Sequence, residues 1–176
     1  MKSSTRLLVF IIVLCAGYLR VYNLYEFDLM CDELCTYLYS SQFLNRAADF
    51  YNSTVSSIFT DKLVNDAHSP LYYFFVYIYT ALFESGKSIR LLSVIFSMLS
   101  LGVFYKMSRL FVDRKTGIIA LFILALNPFH LWYAQEARAY AMISFFSLSF
   151  VYTYLKALRT GRLFYWVSFV VAGVLS

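Results

Sequence analysis

Three polar stretches interrupt an otherwise apolar chain, and each carries side chains able to move a proton or hold a phosphate. The first is Cys31-Asp32-Glu33-Leu34-Cys35-Thr36-Tyr37. A carboxylate held near a membrane surface can act as a general base toward an acceptor hydroxyl. Adjacent helical residues point about 100° apart, so Asp32 and Glu33 cannot both aim at one atom. A solvated acidic loop would show the same pair. The second stretch is His68-Ser69-Pro70-Leu71-Tyr72-Tyr73. Pro70 suits a first helical turn with Ser69 as its cap. His68 can bind phosphate or metal, or donate a proton; a plain interfacial histidine would also fit. The third runs from Asn127 to Tyr140 and carries His130, Gln135, Glu136 and Arg138. Ionisable groups at membrane depth are expensive and default to functional candidates. Arg138 can meet a phosphate with two parallel hydrogen bonds. Glu136 can hold a divalent cation or orient the arginine; an interfacial turn with an internal Glu–Arg pair is the simpler alternative.

Weaker signals carry less. Asn52-Ser53-Thr54 matches a glycosylation acceptor, but such triplets are common. Cys31 and Cys35 have no His or Cys partner nearby, so packing explains them better than metal binding. Gly86-Lys87-Ser88 lacks the upstream glycine of a phosphate-binding loop.

The elements that must position these groups are membrane helices. The chain has 176 residues, of which 61% are hydrophobic and 14% charged; a soluble domain carries roughly 25% charged residues. So short a chain cannot hide this much apolar surface in one aqueous core. The 16 Tyr and 2 Trp suit the headgroup level. The net charge of +5 sits in short loops between apolar runs, which argues for cytoplasmic anchoring and against nucleic acid. Three cysteines do not make a disulfide framework. Lys2 and Arg6 precede an apolar run that ends at Arg20 without a small-residue cleavage site, so this run reads as a retained first span.

Apolar runs occur at 7–22, 71–83, 91–105, 117–133, 139–155 and 163–175. The run at 71–83 would reach roughly 20 Å, short of the roughly 30 Å needed to cross. Between Asn23 and Ser69 lie seven acids and two bases. Lys106, Arg109, Arg114 and Lys115 form one basic cluster, and Lys156, Arg159 and Arg162 another. Both belong in the cytoplasm with the N-terminus if 71–83 stays interfacial or re-entrant. The expected spans are then 6–22, 89–109, 117–133, 138–158 and a fifth from 163. The expected fold is an all-α polytopic transmembrane bundle of about five spans. Residues 23–88 form a first extracytoplasmic loop with juxtamembrane helices, on the same face as the turn at 135–138. The last run stops at Ser176 without a cap or flanking charge, so residues 1–176 read as the N-terminal part of a longer membrane module.

The three stretches, in this order, resemble the membrane-embedded glycosyltransferases of the GT-C type, most of all the protein-O-mannosyltransferases and the lipid A aminoarabinose transferases. Asp32–Glu33 matches the Asp-Glu pair of their first outer loop. His68-Ser69-Pro70-Leu71-Tyr72-Tyr73 matches a His-Pro-Pro-Leu-Tyr-Tyr-like motif, with Ser69 in place of a proline. Arg90-Leu91-Leu92-Ser93 matches an Arg-Leu-Leu-Ser segment. Pro128-Phe129-His130 and Gln135 to Tyr140 match the most specific block. The resemblance covers nearly the whole chain, although such enzymes are much longer.

What the resemblance implies is inverting transfer of a sugar from a polyprenyl-phosphate carrier to a hydroxyl or similar acceptor on the extracytoplasmic face. Asp32 and Glu33 are the implied catalytic carboxylates, with Asp32 as base. His68, Arg138 and Gln135 would meet the donor phosphate, and Glu136 could hold a divalent metal ion, which some relatives do not need. The implied partners are the polyprenyl-phosphate-linked sugar, membrane lipid and an acceptor that is a protein, lipid or glycan, with no nucleic acid. The implied location is a bacterial or archaeal plasma membrane. The competing reading is a truncated, inactive relative or a non-catalytic membrane assembly subunit. A transporter would show an inverted repeat or paired broken helices, and the sequence has no such repeat.

Overall fold

A computed structural model describes residues 3–26, 28–41, 70–83 and 87–175. The described residues form the helices α1 (Ser3–Val21), α2 (Cys31–Ser41), α3 (Pro70–Phe83), α4 (Arg90–Ser108), α5 (Arg114–Ala125), α6 (Pro128–Gln135), α7 (Tyr140–Thr160) and α8 (Leu163–Leu175). A single 3-10 turn, Lys87–Ile89, leads into α4. The protein is a helical integral membrane protein. Among the described residues, α4 and α7 are long and apolar enough to cross a membrane, and α5 with α6 makes a third candidate if the bent pair is one span. The 19 residues of α1 would extend about 28 Å, close to the hydrocarbon thickness.

Local chemistry sets the helix ends. Asn23 takes a left-handed conformation (φ 56°) just past α1, where asparagine is tolerated better than most residues. Gly161 does the same after α7 (φ 64°) and returns its N–H to the Ala157 carbonyl at 2.8 Å. Asp113 caps α5 by accepting from the Lys115 N–H.

One expected span is bent. The run at 117–133 is two helices, α5 and α6, bent by 53°. Pro128 has no N–H for the helix ladder and its ring clashes with the preceding turn, so α5 must stop. Asn127 then caps α6 by accepting from the His130 N–H at 3.0 Å, with Pro128 in the first turn. The turn after α6 meets the start of α2, where the Ala137 N–H donates to Glu33 at 2.8 Å.

Helix α4 is the central post and packs against α1, α5, α6 and α7; α8 packs on α7. Ser93, Ser97 and Ser100 are buried along its inner side, and their small side chains let neighbouring backbones approach. One apolar cluster joins Tyr72, Val76, Phe96, Ala137 and Met142 at one end of the bundle. Another joins Ile12, Ala16, Leu101, Ile118 and Leu121 farther along. Large apolar side chains such as Leu7, Phe10, Ile123, Val170 and Val174 face outward, as lipid contact requires. The guanidinium of Arg159 lies 5.5 Å from the Phe111 ring centroid, so the basic ends of α4 and α7 share one end of the bundle.

Candidate active site

The opposite end gathers the end of α1, the start of α2, the start of α4, the end of α6 and the start of α7. Helix α2 opens with Asp32 and Glu33 in its first turn, where negative charge is favoured by the helix dipole. Glu33 reaches back to accept from the Met30 N–H at 3.0 Å, half of a capping box.

Glu33 is buried, and its carboxylate is saturated. Its Oε1 accepts from Arg90 Nε at 2.9 Å and from the Ala137 N–H at 2.8 Å. Its Oε2 accepts from Arg90 Nη2 at 2.6 Å as well as from Met30. Arg90 also donates to the carbonyls of Leu24 at 2.8 Å and Asp28 at 3.1 Å. This one bidentate pair ties the segment after α1, the first turn of α2, the start of α4 and the turn after α6 into a single unit. Burial pushes the Glu33 carboxyl up. Arg90 and the two backbone N–H groups outweigh that and hold it below the usual carboxylate value.

Asp32 points elsewhere, as helical spacing requires. Its side chain is 64% exposed, and its Oδ2 lies 2.8 Å from Arg138 Nη2. Arg138 is enclosed, with 15% of its side chain exposed. Glu136 Oε1 stands 3.9 Å from its Nε, and the Tyr140 hydroxyl 3.5 Å from its Nη1. The Nε itself is buried without a hydrogen-bond partner. Burial alone would lower the Arg138 pKa, but Tyr140, Asp32 and Glu136 raise it above the ordinary value. Glu136 moves the other way from Glu33. Burial pushes its carboxyl up, Arg138 opposes this, and the nearby Glu33 and Asp32 charges add to the rise.

The turn that carries Arg138 is pinned from two sides. Glu33 takes the Ala137 N–H, and Ser93 Oγ donates to the Arg138 carbonyl at 3.4 Å while sharing a hydrogen bond with the Tyr72 hydroxyl at 3.1 Å.

Gln135 does not join Arg138. Its Nε2 donates to the carbonyls of Leu19 at 3.0 Å and Tyr22 at 3.1 Å, which end α1. The amide expected on a phosphate thus closes the C-terminal end of a helix. His68 lies outside the described residues.

Arg20 is the residue that sequence reasoning passed over. It is fully buried. It donates to Ser97 Oγ at 2.8 Å, His130 Nδ1 at 2.9 Å, the Ala16 carbonyl at 2.8 Å and the Ala125 carbonyl at 3.3 Å. The last of these lies at the end of α5, where Pro128 has broken the ladder. Arginine cannot accept, so His130 Nδ1 is the acceptor and its hydrogen sits on Nε2. An arginine in the last turn of an apolar helix was a readable signal.

The described residues do not suit a divalent cation. No group of three His, Cys, Asp or Glu side chains converges among them. The oxygens of Glu33 are taken, and the positive charge between Asp32 and Glu136 is the Arg138 guanidinium. What the arrangement offers is an accessible carboxylate beside an enclosed guanidinium with donors to spare.

A family model described as dolichyl-phosphate-mannose-protein mannosyltransferase matches residues 67–175. No curated protein and no solved structure matches the chain.

Proposed function

Since the chain belongs to the dolichyl-phosphate-mannose-protein mannosyltransferase family, we propose that it moves a sugar from a polyprenyl-phosphate carrier to an acceptor hydroxyl at the extracytoplasmic membrane surface. The observation that carries this reading is the 2.8 Å approach of Asp32 to Arg138, two residues far apart in sequence. Asp32 takes the proton of the acceptor hydroxyl. The acceptor oxygen forms a bond to the anomeric carbon as the bond from that carbon to the phosphate oxygen breaks. The electron pair leaves with polyprenyl phosphate, and the anomeric configuration inverts. Arg138 stabilises the negative charge that grows on the departing phosphate. Glu33 and Arg90 are positioning residues, because their charges are committed to each other and to the backbone around the site.

The basic residues at the far end of the bundle support placing that end in the cytoplasm and this one outside. Attachment of a membrane-impermeant thiol reagent to a cysteine at position 136, but not at 113, from the outside tests the orientation.

The test of function is transfer from defined polyprenyl-phosphate sugars by the full chain in membranes. Asp32→Asn is expected to lower the rate by about a hundredfold or more, the range of general-base catalysis. Because Asp32 is largely exposed, the variant should melt within about 4 °C of the parent. Unchanged transfer would remove Asp32 as the base. Absence of transfer by the parent with any such donor would favour a non-catalytic relative.

A further inference from the structure

We propose that the Asp32–Arg138 ion pair is a resting latch opened by the carrier phosphate, so that the donor binds before the acceptor. The inference rests on the reading of Arg138 as the phosphate site.

The two partners are unequal. Arg138 is enclosed, with 15% of its side chain exposed, whereas Asp32 is 64% exposed. Arginine carries five N–H donors. Asp32 occupies one nitrogen at 2.8 Å, the Tyr140 hydroxyl stands at 3.5 Å from another, and Nε has no hydrogen-bond partner, Glu136 Oε1 standing off at 3.9 Å. Asp32 therefore satisfies only part of the fork. A phosphodiester presents two anionic oxygens that can meet a guanidinium side-on, with two parallel bonds. It is the better match for the Nε–Nη2 edge, which Asp32 meets through Nη2 alone.

When such an anion arrives, the partner free to leave is Asp32. Its carboxylate is already mostly in water, so releasing it loses little. Arg138 cannot follow, because its turn is held by the Ala137 N–H on Glu33 and by Ser93 on its own carbonyl. Glu33 cannot compete for the anion's place, since both its oxygens are taken. In the pair, Asp32 Oδ2 is spent on Arg138 Nη2 at 2.8 Å rather than on an acceptor hydroxyl. With the latch closed, Asp32 is unready for an acceptor hydroxyl; with phosphate on Arg138, it is free to take the proton.

The test is binding of sugar-free polyprenyl phosphate to the full chain in lipid nanodiscs. Asp32→Asn removes the competitor and should tighten binding about three- to fivefold, the range of one partly exposed ion pair. Arg138→Gln should weaken binding more than tenfold, and the double variant should bind like Arg138→Gln. If Asp32→Asn binds no more tightly than the parent while Arg138→Gln still loses affinity, the latch is wrong and the phosphate site stands. If the parent and Arg138→Gln bind alike, the phosphate site fails and the latch fails with it.

Discussion

Replacing Glu33 by Gln keeps the side-chain shape and removes the charge. In the folded protein the Glu33 and Arg90 side chains are 2% and 7% exposed. The glutamine would keep one acceptor oxygen. Its NH2 would face N–H donors where the other oxygen had been, on one side Arg90 Nη2 and Met30, on the other Arg90 Nε and Ala137. Arg90 would remain buried without its counter-charge. Breaking a buried pair in this way costs about 3–5 kcal/mol. At about 2–4 °C per kcal/mol for a chain of this size, the melting temperature should fall by about 6–20 °C. Circular dichroism of the purified protein in detergent reads this directly. Replacing both Glu33 and Arg90 by Leu should recover part of the loss, because no lone charge remains. Recovery should be incomplete, because the Ala137 N–H and the Leu24 carbonyl lose their partners. The pH dependence has a definite sign. Glu33 is held below its ordinary value in the fold, so its stabilising contribution is present above the unfolded value of about 4.3 and is lost as pH falls through the folded one. The parent should therefore lose more stability on acidification than Glu33→Gln. A Glu33→Gln protein that melts within 2 °C of the parent at neutral pH would refute the account of the pin.

Glu136 should behave oppositely. Its pKa is raised in the fold, so its contribution is most favourable below the unfolded value and diminishes as pH rises; Glu136→Gln should melt no lower than the parent at pH 7. A Cβ on Gly173 would sit 2.8 Å from Phe150 Cε2, and that ring is stacked on Phe169 at 4.4 Å. Gly173→Ala should therefore destabilise the α7–α8 packing by about 1–3 kcal/mol, with Phe150→Leu restoring part of it in a thermal melt. Arg20→Met should lower the melting temperature measurably, because the Ala125 carbonyl loses a buried donor, at roughly 1–3 kcal/mol for a buried acceptor left unpaired, while His130 Nδ1 keeps Ser97 Oγ at 3.1 Å.

Most of the architecture was legible in the chain because lipid imposes a simple rule. Backbone groups in hydrocarbon must bond within their own helix, so long apolar runs have few alternatives to helix. The expected spans at 89–109 and 138–158 correspond to Arg90–Ser108 and Tyr140–Thr160. The short run at 71–83 is indeed a single helix of 14 residues, Pro70–Phe83. The span expected at 117–133 is broken at Pro128 into a bent pair, and proline and the preceding capping asparagine were both visible there. Hydropathy averaged over a window does not register one missing N–H.

The sequence alone determined that this is a helical membrane protein, which stretches interrupt its apolar runs, and that neighbouring Asp32 and Glu33 must point apart. It could not say which of the two would be free. That depended on Arg90, Ala137 and Met30 arriving around Glu33, and on Arg138 arriving beside Asp32. Nor could it assign Gln135 to the end of α1, or Arg20 to the broken end of α5. Periodicity records which side of a helix avoids water, a property of each segment by itself. Which charge meets which donor is set by how the segments stack, and a buried charge accepts no partner that the packing does not bring to it.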